Sequence, residues 1–174
     1  MSVAEEFTLD FARSERIGLE EAIFCAGKSP EQIDAILESA RARGASLLLT
    51  RLDPEKRDRL DAAARLDYCP VSRTAVFGEA PRITGPARVA VVAAGTSDVP
   101  VAREALRVLA YAGRAAALFA DVGVAAGGRA ALDAVLASCA PGITVVNIDN
   151  GYGAACAALR LLHAAGRLAA ETER

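Results

Sequence analysis

Two polar loops carry the residues of this chain that are best suited to hold a ligand. The first loop follows an apolar run at 88–94 and consists of Gly95, Thr96, Ser97 and Asp98. Its backbone N–H groups, two hydroxyls and the start of the following helix suit a phosphate, and its carboxylate suits ribose hydroxyls. The same residues also make an ordinary helix N-cap, because Ser and Asp are preferred there. Spacing alone favours the cap, and both interpretations stay open.

The second loop closes a later apolar run, and its polar and turn-forming residues are Asn147, Asp149, Asn150 and Gly151. Amide and carboxylate groups at this position can bind the amide or hydroxyl groups of a ligand. The same side chains can equally form an Asx turn that satisfies their own backbone. The spacing does not distinguish a binding loop from a structural turn.

The cysteines give no local sign of chemistry. The chain has four cysteines without a CxxC pair and one histidine, His163, so a histidine-based triad and a His-rich metal site are not expected. Cys139 ends a predicted helix, where the helix dipole offers a thiol no activation. Its local sequence is typical of a buried, inert cysteine, as are those of Cys25, Cys69 and Cys156. Reduced thiols of this kind predict a cytoplasmic protein.

Composition excludes two classes of partner. The 174 residues include 20 basic and 22 acidic side chains, with a net charge of −2, which gives no basic footprint for nucleic acid. No apolar run approaches the roughly 18 residues that a membrane span needs, so no membrane partner is expected. The first twenty residues hold four Glu and one Asp without an apolar run, and this predicts no signal peptide.

The apolar pattern predicts an α/β protein of two parts, residues 1–80 and 86–170, joined by a Gly- and Pro-rich linker at 78–88. The first part is a small βαβ-type unit in which a helix starts at Ser29-Pro30 with Gln32 completing a capping box. Its remaining predicted elements are strands at 19–26 and 46–52, a helix at 53–65 and an extended segment at 68–77.

The second part alternates strands and helices in the way a parallel, flavodoxin-like, three-layer domain does. Continuous apolar strands of this kind are typical of sheets buried on both faces. Ligands of such sheets bind beyond the carboxyl ends of the strands, where both polar loops and the turn at 121–123 lie. The predicted strands are 88–94, 115–120 and 143–148, and the predicted helices are 101–112, 128–138 and a last one that ends near residue 168.

Four segments of the chain resemble a known carboxylase family. They are AGTSDVPVAREA (94–105), SCAPGITVVNIDNGYGAA (138–155), EAIFCAGKSPEQI (21–33) and Arg73-Thr74. They resemble the LarB family, which makes the first intermediate of the nickel-pincer nucleotide cofactor. The C-terminal part of that family is similar to the aminoimidazole ribonucleotide carboxylases (PurE). The resemblance therefore implies a PurE-like, nucleotide-binding domain in the second part of this chain.

This resemblance also implies a reaction and roles for particular residues. The family carboxylates the pyridinium ring of nicotinic acid adenine dinucleotide with carbon dioxide and hydrolyses the phosphoanhydride. The products are pyridinium-3,5-biscarboxylic acid mononucleotide and AMP. By motif, the family's nucleophilic cysteine corresponds to Cys139, the first loop binds phosphate and ribose, and the second loop lines the same pocket. Mg²⁺ on the phosphoanhydride and a homo-oligomeric assembly are further expectations from the family.

The resemblance is interrupted by an internal deletion between about residues 121 and 128. Family members carry further strands and a glutamate-bearing loop there, so the gap of about fifty residues exceeds one βαβ unit of roughly thirty. Without two central strands, the remaining ones must find new neighbours, and exposed apolar surface or a rearranged oligomer is expected. The alternative function is therefore a catalytically inactive, shortened paralogue that binds nucleotide or helps to assemble an oligomer.

Overall fold

The first half of the protein is built on a mixed four-stranded sheet. The computed structural model describes residues 10, 13, 19, 21–123 and 128–172. The strands are β1 (Ala22–Phe24), β2 (Leu47–Thr50), β3 (Leu66–Cys69) and β4 (Thr74–Phe77). Their order in the sheet is β1-β2-β4-β3, with β1 parallel to β2 and the other two pairs antiparallel. A helix separates β1 from β2, which allows parallel pairing, whereas a tight turn joins β3 to β4.

The first helix, α1 (Pro30–Ala42), confirms the predicted start and capping box. The Ser29 hydroxyl accepts a hydrogen bond from the Gln32 N–H at 3.2 Å, and the Gln32 amide oxygen accepts one from the Ser29 N–H at 3.0 Å. Both bonds satisfy donors that the first turn of a helix otherwise leaves unpaired. The apolar face of α1 is buried against the sheet.

The predicted helix at 53–65 is wrong in its length. The chain forms a short helix, α2 (Pro54–Asp58), and then a separate 3₁₀ turn at Ala63–Arg65. The Asp34 carboxylate on α1 accepts hydrogen bonds from the N–H groups of Asp61 and Ala62, at 3.0 and 3.3 Å. These two N–H groups are thereby taken out of a continuous helical ladder, which accounts for the break.

The predicted extended segment at 68–77 is a hairpin rather than one strand. The chain turns at 70–73 between β3 and β4, which pair antiparallel from Leu66 opposite Phe77 to Cys69 opposite Thr74. Pro70 cannot donate to a strand ladder, and Arg73 has the left-handed φ of 51° that a tight turn needs.

Helices cover both faces of this sheet, because alternate residues of a strand point to opposite sides. Leu47 and Leu49 belong to the core under α1. Leu48 and Val76 belong to a second core that contains residues of two later helices, α3 (Val99–Tyr111) and α5 (Gly151–Thr172). The predicted linker at 78–88 is exposed and contains neither helix nor strand. The two parts of the sequence nevertheless share this second core.

The second half alternates strands and helices and confirms a mixed α/β protein, consistent with a small flavodoxin-like fold. β5 (Val89–Val92) pairs in parallel with β6 (Ala116–Phe119), and α3 connects them. The helix α4 (Gly128–Leu136) follows, and residues 124–127, where the deletion was expected, lie outside the described residues. Among the described residues, no helix combines the length and the hydropathy that crossing a membrane requires.

The predicted third strand at 143–148 and the expected burial of both sheet faces are wrong. Residues 143–147 lie outside any strand, so the parallel sheet has two strands in the described part of the chain. An apolar segment forms a strand only where the edge of a sheet is available for backbone pairing. Val92 and Phe119 are 62% and 52% exposed, which is the exposed apolar surface expected from the deletion.

Candidate functional site

The two polar loops meet beside the N-terminal sheet. Ser97 of the first loop and Asp149 of the second line one cavity of about 180 Å³, which we call the arginine cavity. The other residues that line it are Arg51, Ser72, Arg73, Pro100, Val101 and Glu104. Because Arg51, Ser72 and Arg73 come from the first half of the sequence, this cavity lies between the two predicted parts.

An adjoining cavity of about 290 Å³ lies at the end of β5 and is called here the strand-end cavity. Asp98, Asp149 and Gly151 line it together with the last residues of β5. Between them, the two cavities gather four of the predicted site residues. The predicted residues Gly95, Thr96, Asn147, Asn150 and Cys139 line neither of the two.

Both polar loops use some of their side chains to satisfy their own backbone. The Asp98 carboxylate accepts a hydrogen bond from the Gly95 N–H at 3.2 Å. The Asn150 side-chain oxygen accepts one from the Gly153 N–H at 2.7 Å, so Asn150 is the N-cap of α5. For Asp98 and Asn150, the structural alternative left open by the sequence is therefore present. Ser97 and Asp149 remain facing the arginine cavity.

Arg51 and Arg73 are brought together by the pairing of β2 with β4. Arg51 follows β2 directly and Arg73 directly precedes β4, and because these strands pair antiparallel, both arginines lie at the same end of the pair. The Leu52 N–H donates to the Arg73 carbonyl at 2.8 Å, which holds the two segments together. Each arginine here has an acidic side chain beside it.

The two arginines have different partners. Arg73 Nη1 donates to Asp53 Oδ1 at 2.9 Å, and both side chains of this pair are about half exposed. Arg51 is more buried: it donates to the Asp149 carbonyl, and its Nε lies 3.8 Å from Glu104 Oε1. Arg51 therefore ties the second polar loop and α3 to the end of β2.

Glu104 is a buried carboxylate at the junction of α3 and α5. It is 4% exposed, and its Oε2 accepts a hydrogen bond from the Gly151 N–H at 3.0 Å. Burial raises the pKa of Glu104, and the opposing effects of Arg51 and of the Gly151 and Tyr152 N–H groups reduce that rise. The carboxylate lies at the N-terminus of α5, where the helix dipole favours negative charge.

This raised pKa predicts a stability that falls with increasing pH. The folded protein binds the Glu104 proton more tightly than the unfolded chain does. The stabilisation is therefore complete below the ordinary glutamate pKa and is lost as pH rises through the raised value. Glu104→Gln is expected to remove this pH dependence. The free energy of unfolding of the variant minus that of the wild type should therefore increase from pH 4 to pH 7, because only the wild type loses this stabilisation.

Urea unfolding of the wild type and Glu104→Gln across that pH range measures the effect. Glu79→Gln makes the same change at an exposed glutamate and serves as the matched control. A constant difference between wild type and Glu104→Gln at every pH would contradict the assignment.

The four cysteines are free thiols in different surroundings. Burial raises the pKa of Cys25 to about 12 and also raises the pKa of Cys156, as expected for inert thiols. The pKa of Cys69 is lowered: burial would raise it, but hydrogen bonds from the Ser72 hydroxyl and from backbone N–H groups outweigh that effect. Cys139 is exposed in the segment after α4, so its predicted burial is wrong.

The described residues contain no group of three His, Cys, Asp or Glu side chains placed to hold a metal by themselves. Mg²⁺ in nucleotide sites, however, is bound through one or two carboxylates together with substrate phosphates. Asp98 and Asp149 both line the strand-end cavity, and this donor set fits such an ion.

Comparison with known proteins gives a match in the first half of the chain. Residues 3–79 match the family model described as "LarB/PurE-like N-terminal domain". The N-terminal part of this chain is therefore similar to that domain. That match relates the protein to a carboxylase family, and it includes Arg51, Ser72 and Arg73 of the arginine cavity.

An uncharacterized protein of Methanocaldococcus jannaschii is 28% identical to this chain over 210 aligned positions. The alignment covers 87% of this chain and 82% of that protein. Since 87% of 174 residues is about 151, about 59 of the 210 aligned positions have no counterpart in this chain.

Sequence reasoning missed four residues that line the arginine cavity, namely Arg51, Ser72, Arg73 and Glu104. Arg51 follows the strongly apolar β2 directly, which marks it as a residue at the end of a buried strand. Its neighbours across the sheet and on α3 come from distant parts of the chain, and no local pattern identifies them.

Proposed function

We propose that this LarB-like protein carboxylates the pyridinium ring of nicotinic acid adenine dinucleotide and hydrolyses its phosphoanhydride. The observation that carries the proposal is the arginine cavity, where Ser97 and Asp149 of the two polar loops face two arginines. Hydroxyls and guanidinium groups together suit the phosphates of a dinucleotide. The match of residues 3–79 to the LarB/PurE-like N-terminal domain supports this family of substrates.

Cys139 is the proposed nucleophile. Its thiolate adds to a ring carbon and forms a C–S bond, which converts the cationic pyridinium into a neutral, electron-rich dihydropyridine. The ring then attacks carbon dioxide through carbon and forms the new C–C bond. Loss of the ring proton from that carbon and expulsion of the thiolate restore the aromatic pyridinium, now with a second carboxylate.

Hydrolysis of the phosphoanhydride consumes one water and releases AMP. Ser97, with the backbone of residues 95–98 at the start of α3, would hold a phosphate during this step. A bound Mg²⁺ would supply neutralisation of phosphate charge, and Asp98 and Asp149 are the residues that would hold it. In this proposal the protein works in the cytoplasm as a homo-oligomer. The exposed apolar side chains of β5 and β6 favour the association of subunits.

A product assay tests the proposal. Protein incubated with nicotinic acid adenine dinucleotide, bicarbonate and Mg²⁺ is expected to give AMP and the dicarboxylated mononucleotide, both measured by mass spectrometry. Cys139→Ala is expected to lose the dicarboxylated product entirely, because no C–S bond can form. Cys69→Ala, at another accessible thiol, is the matched control and is expected to keep the activity. Equal product from the wild type and Cys139→Ala would refute the role of Cys139.

A second candidate function is nucleotide binding without catalysis, in a shortened subunit. The position of Cys139 favours it, because this thiol is exposed and lines neither the arginine cavity nor the strand-end cavity. A folded wild-type protein that binds the dinucleotide but forms no product would establish this second function in place of the first.

A further inference from the structure

We propose that Arg73 binds a phosphate group of the nucleotide, and that Arg51 is the positioning residue that holds the second polar loop beside it. This inference deepens the proposed function, because it extends the phosphate site from the two polar loops to the N-terminal LarB-like domain.

Backbone conformation singles out this cavity. Among the described residues, four non-glycine residues have a positive φ, and three of them line the arginine cavity. They are Arg51 at 54°, Arg73 at 51° and Asp149 at 53°. The left-handed region is unfavourable for residues with a Cβ, and such residues cluster where the surrounding structure holds them for a function. Glycine would fit all three positions better, yet the chain has two arginines and an aspartate there.

The partners of the two arginines assign them different roles. Arg51 is committed to the Asp149 carbonyl and to Glu104, so it fixes the second polar loop against the sheet. Arg73 has an exposed ion pair with Asp53. Exposed ion pairs contribute little to stability, so the Arg73 guanidinium exchanges Asp53 for an incoming anion at low cost.

The remaining lining residues favour a phosphate as that anion. A guanidinium binds two phosphate oxygens at once through its planar pair of N–H groups. Ser72 and Ser97 add hydroxyls on the same cavity. Glu104 also lines the cavity, but its Oε2 accepts the Gly151 N–H and its Oε1 lies 3.8 Å from Arg51 Nε. Asp149 remains as the carboxylate placed to hold a cation that accompanies the phosphates.

Calorimetric titration with two probes, inorganic pyrophosphate and nicotinic acid adenine dinucleotide, tests the inference. Arg73→Ala is expected to weaken binding of both probes about 10- to 100-fold, the usual range for a lost hydrogen bond to a charged group. Arg59→Ala is the matched control, because it removes one positive charge and one exposed ion pair, with Glu31, away from the cavity lining. It is expected to bind both probes as the wild type does.

Arg73→Gly separates binding from folding. Glycine accepts the left-handed φ without strain, so this variant is expected to unfold at a temperature no lower than that of Arg73→Ala. It is expected to lose pyrophosphate binding to the same extent. A merely structural Arg73 would instead leave binding unchanged in both variants.

The outcomes distinguish this inference from the proposed function. If the wild type binds both probes and Arg73→Ala binds them equally well, the role of Arg73 is overturned and the proposed function still stands. Pyrophosphate binding that depends on Arg73, without binding of the dinucleotide, would support the phosphate site and refute the proposed substrate. Binding of neither probe by the wild type would overturn the inference.

Discussion

Gly151→Ala is expected to destabilise the protein by about 3 kcal/mol, at the upper end of the usual cost of overpacking. Gly151 begins α5 where that helix crosses α3. A Cβ added there would lie 2.9 Å from the Ala105 nitrogen and 2.9 Å from Glu104 Cβ, and closer still to the Val101 carbonyl oxygen. Two of these atoms belong to the backbone of α3, so the steric clash can be relieved only if α5 moves away from α3.

The matched control lies on the same helix. A Cβ added at Gly166 meets nothing within 4 Å, so Gly166→Ala is expected to stabilise the protein by about 0.5–1 kcal/mol through the higher helix propensity of alanine. Thermal unfolding measures both variants, and about 3 kcal/mol corresponds to a loss of roughly 6–12 °C in Tm for a chain of this size. A Gly151→Ala protein as stable as Gly166→Ala would contradict this close approach of the helices.

Leu159→Ala is expected to cost about 2–5 kcal/mol in free energy of unfolding, as large-to-small changes in a core do. Leu159 is 2% exposed on α5 and belongs to the core that also contains Leu48 of β2 and Val76 of β4. The change therefore leaves a cavity between the second half of the protein and the N-terminal sheet. Urea unfolding followed by far-UV circular dichroism measures its size.

The same helix supplies the control for this prediction. Leu161 is 64% exposed, and Leu161→Ala is expected to change stability by less than about 0.5 kcal/mol. Because one core joins both halves, Leu159→Ala is also expected to shift hydrogen-exchange protection in β2 as well as in α5. Loss of protection confined to α5 would show that the two halves unfold independently.

This shared core positions the candidate site. The N-terminal sheet carries Arg51 and Arg73, whereas the second half carries Ser97 and Asp149, and the arginine cavity exists only when both are packed together. The Leu159→Ala variant should therefore bind ligand more weakly, in proportion to the fraction of molecules in which the two halves of the protein have separated. Packing of this core and the contacts of Arg51 with Asp149 and Glu104 together hold the two halves of the site in place.

Local features of this protein were predictable from its sequence. The capping box at Ser29 and Gln32 fixes the start of α1, because its two bonds involve residues three positions apart. The alternation of apolar strands and amphipathic helices gives the mixed α/β class. Both polar loops were predicted to lie beyond the carboxyl ends of parallel strands. Ser97 and Asp149 do line one cavity, although the second loop follows no strand of the described sheet.

Features that depend on distant partners were decided only by the tertiary structure. The helix predicted at 53–65 breaks because Asp34, far away in sequence, binds its backbone N–H groups. The run at 143–148 has the composition of a strand but lies outside the two-stranded sheet. Arg51 and Arg73 line one cavity because β2 pairs antiparallel with β4, which no local periodicity encodes. Local hydrogen bonding and apolar periodicity thus determined which elements form. The pairing of strand edges and the packing of α3 and α5 on the N-terminal sheet determined which side chains meet, because those contacts join residues that are separated along the chain.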